Sequence, residues 1–317
     1  MAGEVAEGSL PVIVTGYLAF LIPAQVGLGN HKFLILDGRD MTDTTQAQVA
    51  DLPVPGASLH YMVRGSGPLL LLLQGGDGDA DGTDALAGHL ASDYTVLSYD
   101  RRGLSRSPVS DPAAAIDMAT HSEDASRLLA AVTSDPALVL GTSLGAVLGL
   151  DLISRHPGQV RLLVAHEPPA TGLLPEPGRG QAIRDQEEVE DLYRREGIAA
   201  AMRKFIAVAG IRFDDREPDV SIPQPRPERI ANLEFFLTHD APAVRRYRLD
   251  LPALHEAAAR IVPAAGAGTQ AFPRRCAQAL AGELSRPLAE FPGGHSGFML
   301  RPRAFAARLH EILAGCR

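Results

Sequence analysis

Short, unbroken apolar runs recur along the chain, separated by stretches with helical spacing. "LLLLLQGGDG" (69–78), "ALVLGTSLG" (137–145) and "VRLLVAHEPP" (160–169) are too short for helices and show no polar alternation, the pattern of strands buried on both faces of a parallel sheet. "SLHYMVRGSGP" (58–68) alternates like a half-buried strand and then turns. "YTVLSYDRRGLSRS" (94–107) reads as a strand with a polar exit, and "HSEDASRLLAAVTS" (121–134) as a helix. Helical spacing also follows "GTSLG" and stops at Pro157. Strands alternating with helices in this way predict an α/β fold, a mostly parallel central sheet with helices on both faces.

From Thr171 to about Arg260 the texture changes. Charged helical patches, such as "RDQEEVEDLYRREGIAAAMRKFIAVAG" (184–210), flank the proline-rich "DDREPDVSIPQPRPER" (214–229), which reads as an inserted helical cap. Strand and helix patterns then resume in "RIVPAAGAG" (260–268), "CAQALAGEL" (276–284), "PLAEFPGGHSGF" (287–298) and "PRAFAARLHEIL" (302–313). The expected organisation is an extension outside the fold over 1–50, a first core part over 51–170, a helical cap over 171–260 and a second core part over 261–317.

Composition narrows the function. A formal charge of -8 offers no general attraction to phosphate backbones or anionic lipid, so nucleic acid and membrane surfaces are not expected partners. The two cysteines, Cys276 and Cys316, suggest neither a disulfide framework nor a cysteine metal site, and point to a reducing cytoplasm. Residues 8–30 carry no charged side chain, but Pro11 and Pro23 interrupt them and no Lys or Arg precedes them, so neither a stable membrane span nor a secretory signal is expected. The first forty residues, with a second methionine at Met41, read as an over-extended start.

The chemistry centres on "GTSLG", Gly141 to Gly145. With a strand before it and a helix after it, G-x-S-x-G forms an elbow that presents the Ser143 hydroxyl at a helix N-terminus, where developing negative charge is favoured. A serine needs a base near neutral pH. Of the ten histidines, His295 in "FPGGHSGFML" lies on a glycine-rich loop between the last strand and the last helix. The other histidines read mostly as half-solvated surface groups.

These features, with "LLLQGGDG" and the "YDRRGLSRS" turn, resemble the α/β-hydrolase fold family over roughly residues 52–315. The resemblance implies a nucleophile, acid and histidine at the C-terminal edge of the sheet. In most relatives the acid follows the strand after the cap, yet "IVPAAGAGTQAF" has Thr269 there and no carboxylate occurs between Arg260 and Glu283. Adjacent parallel strands lie about 4.8 Å apart and Glu is one methylene longer than Asp, so Glu167, one strand over, is the expected acid. This placement resembles that in zearalenone lactonases. Asp240 is the rival, and Asp100 is expected to brace the "DRRG" turn. The resemblance also implies an oxyanion hole from the backbone N–H groups of Leu144 and of Gly76, with Gly75 next in order.

The resulting expectation is a serine hydrolase that cleaves a carboxylic ester or lactone of a small, largely apolar substrate, with no metal or cofactor. Phe298, Phe235 and Phe236 are the expected substrate contacts, joined by Phe205, Phe213 and Tyr247, whereas Arg245 and Arg246 read as a solvated face. The partner is a small molecule, with a homodimer the one assembly left open. The runner-up functions are C–C bond hydrolysis, cofactor-free haloperoxidase chemistry and a slowly turning-over receptor-like protein.

Overall fold

The computed structural model describes residues 47–76, 78–222, 226–268 and 271–315. The expectations for the first forty residues, for Thr269 and for Cys316 lie outside these segments. Eight strands form one sheet in the order β1-β2-β4-β3-β5-β6-β7-β8. They are β1 (Gln48–Val54), β2 (Ala57–Arg64), β3 (Leu69–Leu73), β4 (Thr95–Tyr99), β5 (Ala137–Thr142), β6 (Val160–His166), β7 (Ile261–Gly266) and β8 (Ala289–Phe291). Strand β2 runs antiparallel to both β1 and β4, while every pairing from β4 to β8 is parallel.

The extension was expected to run to residue 50, but residues 48–50 already belong to β1, where Ala50 pairs with Tyr61. Hydrophobic patterning missed this strand because it is an edge: "QVADLPV" buries only Ala50, and Val49 is exposed.

The unpatterned apolar strands bury both faces, successive side chains entering opposite cores. Leu71 and Leu73 of β3, Val139 of β5, and Leu163 and Ala165 of β6 join one core. Leu70 and Leu72, Leu138 and Leu140, and Leu162 and Val164 join the other. Each fully buried leucine contributes roughly 2 kcal/mol of transfer free energy.

The helices are α1 (Asp84–Leu90), α2 (Met118–Val132), α3 (Leu144–Arg155), α4 (Gly178–Glu196), α5 (Ile198–Ala209), α6 (Pro227–Phe235), α7 (Ala241–Arg246), α8 (Leu251–Ala257), α9 (Phe272–Glu283), α10 (Gly297–Leu300) and α11 (Pro302–Ala314). Helix α2 starts where Asp117 caps the Thr120 N–H at 2.8 Å. Helices α1 and α11 supply Leu86, Leu90, Phe305 and Leu309 to one face of the sheet. Helices α2 and α3 supply Leu128, Leu129, Leu148 and Leu152 to the other.

Between β6 and β7 lie helices α4 to α8, and α6 continues into α7 through a π-helical turn at Phe236–Asp240. Gly197, at φ 83°, separates α4 from α5 within the single charged patch seen in the sequence. No helix among the described residues is long and apolar enough to cross a membrane.

Candidate active site

Ser143 leaves β5 at φ 54° and ψ −120° and caps the start of α3. A non-glycine residue in this region costs about 1–3 kcal/mol, and such strain persists only where the surroundings enforce it. They do so here by close approach. A Cβ on Gly145 would lie 2.0 Å from the Leu73 carbonyl oxygen, and one on Gly141 would lie 2.4 Å from that of Gly145. Strand, turn and helix pack this tightly only because both positions are glycine. Leu144 is the first residue of α3, so its N–H is among those that an α-helix leaves without an internal acceptor.

Glu167 follows β6 at φ 50°, and its N–H donates to the Ala264 carbonyl of β7 at 2.8 Å. The side chain is fully buried and reaches across to β7, where Oε1 accepts from the Gly266 N–H at 3.0 Å. Its other oxygen, Oε2, accepts from Nδ1 of His295 at 2.7 Å. Burial pushes the carboxyl pKa up, but the hydrogen bond and charge of His295 and the Gly266 N–H outweigh it, holding Glu167 below the usual carboxylate range. His295 sits on the loop between β8 and α10, and is itself buried.

Ser143 and His295 together border two chambers. The first, about 760 Å³ including its mouth, is lined by Gln74, Gly75, Gly76, Met202, Phe205, Phe213 and Phe298 among others. The second, about 580 Å³, is more apolar, with Leu144, Val189, Phe205, Val208, Phe236 and Phe272. Gly75 stands against the serine, since a Cβ there would come within 2.9 Å of the Ser143 Cβ. Gly76 faces Phe236, whose ring would lie 3.5 Å from an added Cβ.

Phe235, expected as a substrate contact, lies elsewhere. It covers Gly103 at φ +81°, so closely that a Cβ there would lie 2.1 Å from the ring, and it stacks on His239 instead of lining either chamber. Tyr247 borders a separate cleft with Val147 and Leu249 and donates to Asp151. Arg245 is also not a solvated group: its guanidinium forms a bidentate pair with Glu190 at 2.7 and 2.9 Å. Arg246 is exposed, as expected.

Asp240, the rival acid, is engaged elsewhere. It is fully buried, accepting from Arg101 at 2.7 Å and from Nε2 of His121 at 3.0 Å. Burial raises its pKa, but the charges and hydrogen bonds of Arg101 and His121 prevail and lower it. Asp100 braces the turn as expected, accepting from the Arg106 N–H at 3.0 Å and from the Ala80 N–H at 2.8 Å.

Besides His295, two of the described histidines are buried, not surface groups. His121 is buried against Asp240, and His166 is fully buried against Phe291 and Phe305. Burial lowers the His166 pKa to about 4. Among the described residues, no group of three or more His, Cys, Asp or Glu side chains is placed to hold a metal ion.

Comparison with known proteins agrees with this architecture. Residues 68–208 match the profile of the α/β hydrolase fold. The uncharacterized hydrolase YraK of Bacillus subtilis (strain 168) is 41% identical over 267 residues, covering 83% of this chain and 94% of the relative. Among solved structures, a hydrolase from Pseudomonas aeruginosa PA01 superimposes with a TM-score of 0.63 at 24% identity, covering 84% of this chain and 98% of the other. An α/β hydrolase from Sphaerobacter thermophilus DSM 20745 gives a TM-score of 0.60 at 22% identity, covering 83% and 99%.

Proposed function

Because the chain belongs to the α/β-hydrolase family and is a hydrolase of that fold, we propose that it cleaves a carboxylic ester or lactone of a small, largely apolar substrate through an acyl-enzyme. The observation that carries this reading is the buried 2.7 Å hydrogen bond from His295 to the ionised Glu167, on a histidine that borders both chambers beside a strained serine.

With Nδ1 donating to Glu167, Nε2 is the nitrogen left to accept a proton. In the first step Ser143 Oγ forms a bond to the substrate carbonyl carbon and Nε2 takes the hydroxyl proton, leaving a tetrahedral oxyanion. The N–H groups of Leu144 and Gly76 stabilise that charge. The carbon–oxygen bond to the leaving group then breaks, and the imidazolium gives it the proton. In the second step a water loses a proton to Nε2, attacks the acyl carbon and returns Ser143 with the free acid. Glu167 remains ionised throughout, holds the ring in the useful tautomer and offsets its transient positive charge. The apolar walls supplied by Phe205, Phe236 and Phe272 favour substrates with little charge of their own.

A panel of aryl esters and of small and macrocyclic lactones, with Ser143→Ala as the blank, tests this. The expected result is turnover with an initial burst by the wild type and none by the variant. Ligand binding without any turnover would favour a receptor-like protein, and cleavage that persists in Ser143→Ala would exclude the acyl-enzyme.

A further inference from the structure

The loop that carries Gly76 has no regular structure of its own, yet an oxyanion site must be rigid before the reaction begins. Its rigidity has a visible source. Arg101, 1% exposed, donates from one guanidinium to the carbonyl oxygens of Gln74 at 3.0 Å, Gly75 at 3.2 Å and Gly76. The same group donates to Asp240 at the end of the π-helical turn, and Asp240 in turn accepts from His121 on α2. All three side chains are buried, and none of them lines either chamber.

We propose that Arg101, held by Asp240 and His121, is a positioning residue that sets the oxyanion hole, a role that rests on the acyl-transfer reading above. The physical argument is the planarity of the peptide group. In a trans peptide the C=O of one residue and the N–H of the next point in opposite directions. Fixing the Gly75 carbonyl on Arg101 therefore turns the Gly76 N–H to the opposite edge of the same peptide plane, and fixing the Gln74 carbonyl does the same for the Gly75 N–H. The Gly75 carbonyl also accepts from the Gly78 N–H at 3.0 Å, so that plane is held twice. A cation on the carbonyl side polarises the amide and strengthens the N–H as a donor.

Asp240 adds a link between the site and the helical insertion. It ends the same π-helical turn that Phe236 begins, and Phe236 lines the apolar chamber and lies against Gly76. Seating of that turn and formation of the hole are thus one structural event.

The test compares Arg101→Met, Arg101→Lys and Asp240→Asn with wild type, using p-nitrophenyl butyrate hydrolysis and the rate at which an alkyl fluorophosphonate modifies Ser143. Arg101→Met is expected to lower kcat by roughly ten- to a hundredfold with KM changed less than about twofold, because only the transition state carries the oxyanion. The fluorophosphonate rate is expected to fall in parallel. Asp240→Asn keeps a neutral acceptor beside Arg101, so a smaller loss of the same kind is expected, and this variant carries the test if Arg101→Met fails to fold. Asp124→Asn, which weakens the buried pair of the neighbouring Arg102, is the control for a merely structural loss: stability falls while kcat holds. Folded Arg101 and Asp240 variants with wild-type kcat and wild-type labelling would overturn the proposal alone. A wild type whose Ser143 resists the fluorophosphonate and cleaves no ester would overturn the acyl-transfer reading first.

Discussion

His166, next to Glu167, makes a test of the structure that does not depend on substrate. Its ring is fully buried, neither nitrogen has a hydrogen-bond partner, and its neighbours Phe291 and Phe305 approach edge-on with ring centroids 5.6 and 5.3 Å away. Such a site admits only the neutral imidazole, and the pKa falls from 6.5 to about 4. The unfolded chain takes up the proton near 6.5 while the folded chain does not, so folding stability is complete above that pH and declines as pH falls toward 4. At 1.36 kcal/mol per pH unit, the loss attributable to this ring is about 2 kcal/mol at pH 5 and about 3 kcal/mol once pH 4 is passed. Urea unfolding at pH 8 and pH 5 measures it, followed by far-UV circular dichroism because the chain contains no tryptophan. His166→Leu and His166→Phe are expected to lose about 2 kcal/mol less than wild type between the two pH values. Changes in packing shift each variant's stability at both pH values and cancel in the comparison. An identical pH dependence in wild type and both variants would refute the assignment of a dry, neutral ring.

Three further outcomes follow from the geometry. Glu167→Gln should fold and lower kcat by roughly 10³–10⁴-fold, and Glu167→Asp should lose nearly as much in the same ester assay, because a side chain one methylene shorter, on a backbone tied to Ala264, cannot keep the 2.7 Å contact. Gly145→Ala should abolish soluble expression or cost more than about 4 kcal/mol in urea unfolding, since its methyl would lie 2.0 Å from the Leu73 carbonyl oxygen. Phe236→Ala should raise KM for apolar esters and destabilise by roughly 3 kcal/mol, because the ring is buried in the core as well as lining the chamber, whereas Phe235→Ala should leave KM unchanged and cost less stability; the reverse pattern would invert the placement of the two rings.

What the sequence made legible follows from how local each signal is. Strands β3, β5 and β6 were readable because burial on both faces removes polar alternation, a property of five to seven consecutive residues. The elbow was readable because its glycines are required two residues either side of Ser143. The α/β-hydrolase fold followed from those elements in order. Other features depend on distant partners. Phe235 and Phe236 are adjacent, and which of them faces the chamber depends on how the helical insertion seats on the sheet, a phase that local periodicity does not encode. The Arg101–Asp240 contact spans 139 positions, and Asp240 read as a catalytic rival because an acid in "LTHDAP" carries no mark of the cation it meets. His166 read with the half-solvated surface histidines, but it continues the Leu162 and Val164 face of β6 into the core beneath α11.

The relation between Ser143 and Glu167 is set by the sheet itself. Ser143 and Glu167 both adopt positive φ at neighbouring strand exits, at 54° and 50°. Each amide then hangs on the following strand: the Ser143 N–H donates to the His166 carbonyl at 2.9 Å and the Glu167 N–H to the Ala264 carbonyl at 2.8 Å. Glu167 Oε1 accepts from Gly266, so the acid is tied to β7 by backbone and side chain alike. Strain of about 1–3 kcal/mol at each residue is offset by bonds that extend the parallel ladder past its regular end. His295 lies instead on the loop between β8 and α10, so under the proposed function that loop is the element whose movement would part the histidine from Ser143 and Glu167, which are held by β5, β6 and β7. Hydrogen exchange that opens residues 292–297 before the strand exits would be the signature of that division.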